Sequence, residues 1–255
     1  PHISVEVWEG IIDHLWDRPK TLRACACVCK DWRPRSQHLL VARSCIDDRS
    51  QVLDLVKLIR TGSSLRDKVT QVVVRGGEDW PERKSIPHLG TFAAMLAGRL
   101  PQIKVLGIWS AVWEPGSLHP DIALHLSAFT SITWLDIYDV TFPSITVFGR
   151  VVDSFPSLER LQCYNASFTV KSSTPRISLH PNQWKKVTNV ELDGSSAHDV
   201  IGYMISIGVG SKLTAIRAQV GYYWEPSLAE DAQTFAMQRL LKVVGESLGR
   251  LDLTL

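Results

Sequence analysis

ITWLDI, residues 132–137, carries apolar side chains at its first, fourth and sixth positions, and the same spacing returns six more times along the chain. The other copies are VTQVVV from residue 69, IKVLGI from 103, LERLQC from 158, VTNVEL from 187, LTAIRA from 213 and LGRLDL from 248. Successive copies begin 34, 29, 26, 29, 26 and 35 residues apart. In an extended segment alternate side chains face opposite sides, so the fourth and sixth residues of each hexad point one way and their neighbours the other. One such strand with its return segment cannot bury its apolar face alone. Stacked in parallel, the units share a continuous core.

The gaps between hexads hold the return segments. Helical spacing predicts helices over 88–99, 120–128, 144–155, 198–207 and 229–246. Pro120 suits a first turn, and Ser227 with Glu230 reads as a capping box. Residues 172–181, SSTPRISLHP, read instead as an extended return. Aligning the hexads puts Trp113, Phe142 and Phe168 at one repeat position, read as a core spine.

The outward residues fall into columns. One runs Arg75, Trp109, Tyr138, Tyr164, Asp193, Gln219, Thr254, and the other Val73, Gly107, Asp136, Gln162, Glu191, Arg217, Asp252. With parallel strands ~4.8 Å apart, Trp109, Tyr138 and Tyr164 become a ladder of rings. Aromatic anchors of this kind are typical binding hot spots. Asp136, Glu191 and Asp193 place acid beside them, which favours a basic, partly apolar partner segment, and Arg217 completes the candidate binding set. The alternative is that the rings only cover one another and the sheet.

Ahead of the hexads the pattern changes to helical. In ISVEVWEGIIDHLW, residues 3–16, Trp8, Ile11, Ile12 and Leu15 form an i, i+3, i+4, i+7 stripe. In TLRACACVCKDW, residues 21–32, Leu22, Cys25, Cys29 and Trp32 form another, beginning after Pro19. On that helix Cys27 points away from Cys25 and Cys29, so the three thiols do not converge on a metal, and free cysteine packs as a small hydrophobe. A third helix is expected over RPRSQHLLVA, with Pro34 in its first turn. Three short helices cannot bury all these apolar faces among themselves, and the excess makes a docking surface. Residues 49–61, RSQVLDLVKLIRT, read as one more helix bridging the two parts.

Residues 3 to about 43 resemble an F-box. Ile3-Ser4-Val5-Glu6 matches the opening Leu-Pro-x-Glu, with Ser4 in the place of proline. Ile11, Ile12 and Leu15 match the spaced aliphatics, Leu22 the next leucine, and Val28-Cys29-Lys30-Asp31-Trp32 the closing signature. The stretch DHLWDRPKTLRACACVCKDW is similar to the F-boxes of large families in mushroom-forming fungi. The hexads resemble leucine-rich repeats of the long, irregular, ribonuclease-inhibitor-like kind, without the consensus asparagine. The resemblance implies an α/β chain: an F-box over residues 1–45, a helical linker over 46–65, and a leucine-rich-repeat solenoid over 66–255, with strands concave and helices convex. It implies binding to a Skp-type adaptor, and through it a cullin, by Ile3, Glu6, Val7, Ile11, Ile12 and Leu15. Leu22, Val28, Cys29 and Trp32 would form or brace that interface, internal packing being the alternative for Trp32 and Cys29. The chain would then be the substrate-recognition subunit of an SCF-type ubiquitin ligase, capturing a protein substrate on the repeats. The alternatives are an interaction scaffold with a degenerate F-box, and a small-molecule receptor.

Composition fits that expectation. The chain has 255 residues, 45% hydrophobic and 21% charged, with net charge +2. This balance gives no reason to expect nucleic acid or an acidic membrane as partner. No apolar run approaches the ~20 residues that span a bilayer. Five cysteines without framework spacing fit a reducing interior, cytoplasm or nucleus, where the sequon Asn165-Ala166-Ser167 would be silent. The eight histidines close no recognisable set, and no nucleophile elbow, P-loop or zinc motif is present. Gly76-Gly77 lacks a third dinucleotide-loop glycine and reads as a turn. No catalytic residue, metal or cofactor is expected. The opening PHISVEV, without methionine, and the ending LDLTL, inside the pattern, are read as the ends of a cut fragment.

Overall fold

The computed structural model describes residues 4–61, 63–77, 82–170, 183–194, 197–208, 213–219, 238–243 and 248–254. Three helices, α1 (Val5–Asp13), α2 (Pro19–Val28) and α3 (Trp32–Ala42), come first. The alternating part follows as β1 (Arg43–Ile46), α4 (Arg49–Thr61), α5 (Ser63–Arg66), β2 (Gln71–Arg75), β3 (Lys84–Ser85), α6 (Pro87–Leu96), β4 (Val105–Val112) and α7 (Ile122–Ser127). It continues with β5 (Trp134–Ser144), α8 (Ile145–Asp153), β6 (Arg160–Tyr164), β7 (Ser167–Val170), β8 (Asn189–Asp193), α9 (Ala197–Ser206), β9 (Ala215–Gln219) and β10 (Arg250–Thr254). A 3₁₀ turn, Gln183–Lys186, precedes β8.

The molecule is α/β, with one parallel sheet. Its main path, β1-β2-β4-β5-β6-β8-β9-β10, follows chain order, and each neighbouring pair is parallel. Each of the seven hexads supplies one of these strands. Parallel neighbours need a crossover, and α4, α6, α7, α8 and α9 provide several, each packing on the next. The inward strand residues Val72, Val74, Leu106, Ile108, Leu135, Ile137, Leu161 and Cys163 and the helix residues Leu89, Phe92, Phe148 and Val152 form one buried core. Among the described residues no helix is long and apolar enough to cross a membrane.

The expected spine is present inside that core: Trp113 meets Phe142 at 5.7 Å and Phe142 meets Phe168 at 6.3 Å, with Phe148 edge-on to both phenylalanines. It lies on a second short ladder, in which β3 pairs with the end of β4, and β7 with the end of β5. Between the two ladders the chain turns at a column of left-handed residues, Ser110, Asp139, Asn165 and Gly194. Each directly follows an outward residue of the expected ring column. Asp and Asn tolerate this conformation better than other side chains. Asn165 is also committed within the fold, its amide donating to Asp139 at 2.5 Å. The expected helix over 229–246 is described only at 238–243, where it is helical. The capping box at 227 and 230 and the extended return at 172–181 lie outside the described residues.

Two expectations change. Residues 46–65 do not stand apart as a linker. β1 pairs with β2 from Arg43 onward, and Val52, Leu55, Val56 and Ile59 of α4 sit in the common core. The four-residue strand RSCI was too short to show alternation. The stripe Leu22, Cys25, Cys29, Trp32 does not lie on one helix. α2 ends at Val28, Cys29 is extended, and Trp32 opens α3, where it stacks on Trp8 at 6.4 Å. Cys25 is buried, whereas Cys27 and Cys29 are exposed.

Helix α8 tests the fit of the helical layer. A methyl at Gly149 would lie 2.1 Å from the Tyr203 hydroxyl and 2.4 Å from its ring carbon, and Tyr203 is buried in α9. A buried ring cannot yield as a flexible chain end can. Gly149→Ala is expected to lower the unfolding free energy by about 1–3 kcal/mol in urea titrations. Combining it with Tyr203→Leu should give less than the sum of the single losses.

Candidate functional site

The sheet face opposite the helices carries three outward columns. The strand pairings place Arg75, Trp109, Tyr138, Tyr164, Asp193 and Gln219 side by side. They also align Val73, Gly107, Asp136, Gln162, Glu191, Arg217 and Asp252. The ring centroids stand 6.1 Å apart for Trp109–Tyr138 and 6.3 Å for Tyr138–Tyr164.

Trp109 is held from three sides. Its indole Nε1 donates to Asp136 Oδ2 at 2.9 Å. Gly107 leaves the notch this requires, since a Cβ there would lie 3.1 Å from that nitrogen and 2.9 Å from a Val73 methyl. Trp16, from the loop between α1 and α2, packs edge-on against Trp109 at 5.6 Å, with the Arg43 guanidinium 5.6 Å over the Trp16 ring. Arg75 fixes the same loop, donating to the Asp17 carbonyl at 3.4 Å while pairing with Asp47 at 2.8 Å. Trp109 is thus a pillar between the helical unit and the sheet, and the open part of the ladder begins at Tyr138, which is 43% exposed.

The acid is also distributed differently from the expectation. Glu191 is bonded by Arg160, accepts from the Tyr164 hydroxyl at 3.3 Å and lies 3.6 Å from Arg217. Arg217 continues to Asp252 at 3.3 Å, which Arg250 meets at 2.9 Å. From Glu191 onward the face is a chain of alternating charges, so Glu191 and Arg217 are neutralised within the protein. Asp136 and Asp193 form no ion pair among the described residues. Burial pushes the Asp136 carboxyl up to about 6, against the Trp109 hydrogen bond and the Arg160 charge, with Glu191 adding to the rise. Burial also raises Asp193, opposed by a backbone hydrogen bond from Gly194.

Three contributors were missed at the sequence level. Trp134 lies outward in the first column, and the Arg160 guanidinium stacks over it at 4.2 Å. The third letter of every hexad is outward too, so Trp134 and Arg160 could have been found there. Trp16 belongs to a loop and has no periodic signal.

A raised acid favours the fold only while protonated. Its contribution is present below the ordinary aspartate range and is lost as pH rises through about 4 to 6. Asp136→Asn keeps an acceptor for Trp109 and removes the charge. The variant is expected to gain on the wild type across this window, by at most about 3 kcal/mol above pH 6. Urea titrations of both chains at pH 4 and pH 7.5 measure this gap.

The N-terminal candidates separate into two sets. Ile12 and Leu22 are 1% and 0% exposed and, with Leu39, centre a small core that Trp8, Leu15 and Trp32 partly cover. Ile12 therefore cannot serve as the contact expected of it, and Leu22 can act only as a brace. Val7, Ile11 and Val28 are 54%, 55% and 63% exposed, and Glu6 and Cys29 are exposed as well. Asp13 and Arg35, paired at 2.5 Å, tie α1 to α3. Ile3 lies outside the described residues. No model of a known protein family matches this chain, and no curated protein matches it.

Proposed function

We propose that this chain is the substrate-recognition subunit of an SCF-type cullin ubiquitin ligase. Residues 4 to about 42 act as an F-box that holds a Skp-type adaptor. The strand–helix units act as a leucine-rich-repeat solenoid that presents its outward sheet face to a protein substrate. Catalysis belongs to the partner enzymes, and this chain supplies proximity.

The observation that carries the reading is the surplus of apolar surface on the helical unit. The chain keeps a large common core, yet four of the ten large hydrophobic residues exposed among the described residues fall between Val5 and Val28. A unit whose interior is already closed by Ile12, Leu22 and Leu39 gains nothing internally from Val7 and Ile11, and such surface marks an interaction site. Ser4 does not oppose this. Its φ of −65° is the value proline fixes, and its side chain makes no capping bond.

The test is co-elution of the purified chain with a purified Skp-type adaptor in gel filtration. A stable complex is the expected result. Failure to bind, with Ser4→Pro restoring the complex, would favour a scaffold whose F-box has decayed. Failure of both chains would remove the adaptor from the reading.

A further inference from the structure

The open half of the ring ladder shows a preference for one kind of partner. This inference rests on the sheet face being the recognition surface, and names what it recognises. Tyr138 and Tyr164 face outward with centroids 6.3 Å apart, close to the ~6.6 Å between alternate side chains of an extended chain. A segment running across the strands can therefore set successive same-side residues over successive rings. Trp16 and the Arg75–Asp47 pair close one end of this track at Trp109, and the Arg217–Asp252–Arg250 chain bounds the other.

Between those limits the charge is one-sided. The carboxylates are Asp136, Glu191 and Asp193, and the cations facing them are Arg160, stacked on Trp134, and Arg217, both already engaged by Glu191. Two acids are left without ion pairs among the described residues. Asp136 is on the strand of Tyr138, two residues before it, and Asp193 is directly in register with Tyr164. Aromatic faces attract cations, and the attraction grows when counter-charges stand at the ring edges and water is partly excluded.

We propose that Tyr138 and Tyr164 receive an arginine or lysine side chain carried on an extended segment of the partner protein, with Asp136 and Asp193 as its counter-charges. Trp109 and Glu191 position these groups and do not themselves contact the cation.

The probe is a fluorescein-labelled decapeptide of alternating arginine and valine, with glutamate replacing arginine in its control, read by fluorescence anisotropy at pH 7.5. The arginine peptide should bind at least about tenfold more tightly than the glutamate peptide, with the preference falling as salt rises. Tyr138→Ala should weaken it about tenfold and Asp193→Asn about threefold. Equal binding of the two peptides, no binding of the arginine peptide, or unchanged affinity in the Tyr138→Ala, Asp193→Asn double variant would overturn the proposal. The same variants are assayed for adaptor co-elution, which they should keep. In the unsubstituted chain, failure to bind the arginine peptide with adaptor co-elution intact shows that the sheet face has been misassigned, and the reverse shows that the helical unit has.

Discussion

Replacing Arg83 with leucine is expected to lower the unfolding free energy by about 3–5 kcal/mol. Arg83 precedes β3 and reaches across the bend within β5 to the start of β7. Its guanidinium pairs with Asp139 at 2.5 Å and donates to the hydroxyls of Thr141 and Ser167 at 2.6 and 3.0 Å. Asp139 is buried and sits in the left-handed column, where Asn165 supplies its other bond. Leucine would strand a buried carboxylate with one amide partner, and an unpaired buried charge costs more than the pair ever contributed. Urea titration measures the loss. A second substitution separates charge from packing: Asp139→Asn in the Arg83→Leu background removes the stranded charge and keeps a residue that accepts positive φ. It should recover a substantial part of the stability. A double variant no better than Arg83→Leu alone would show that the bridge acts through shape, with charge incidental.

This cluster marks where the sequence stops being readable. The strand register could be read because alternation has a period of two, and a one-residue slip would turn Leu135 and Ile137 to the surface and Asp136 into the core. That constraint placed Trp109, Tyr138, Tyr164 and Asp193 in one row without reference to coordinates. The row after it, Ser110, Asp139, Asn165, Gly194, is a run of turn-forming residue types at one repeat position, but polarity alone does not give backbone hand. Arg83 lies outside every hexad, and its contacts span 56 to 84 residues of sequence. No local pattern encodes a bond of that reach. Arg217 meets Glu191 directly across the ladder, but the pairing of Arg160 with Glu191 has a related cause. The hexads fix columns, but long side chains lean between columns, and their partners depend on which charge is nearest across a diagonal. In α1 the difficulty is different. Ile11 and Ile12 are adjacent and chemically alike, and a short helix with apolar residues on more than one side does not say which isoleucine faces in.

That distinction decides the design of the adaptor experiment, where the largest effect is expected. Val7 and Ile11 stand one helical turn apart on the exposed side of α1. Changing both to aspartate should weaken binding to a Skp-type adaptor by at least about a hundredfold, because two carboxylates would have to be desolvated against an apolar surface with no partner for either. The cost to the free protein should be small. Both positions are exposed, surface changes usually fall within about 0.5 kcal/mol, and an acid at Val7 lies near the helix N-terminus, where the dipole favours it. Aspartate at Ile12 or Leu15 would be uninformative, since those side chains belong to the small core or pack against it, and the helical unit itself would fail. The readouts are calorimetric titration with the adaptor and urea titration of each chain, with arginine-peptide binding as a check on the sheet face. Lost adaptor binding with unchanged stability and peptide affinity assigns Val7 and Ile11 to the interface. Full adaptor binding by the double variant would move the interface off α1 altogether, because no surface that includes this turn could accept two buried, unpaired charges.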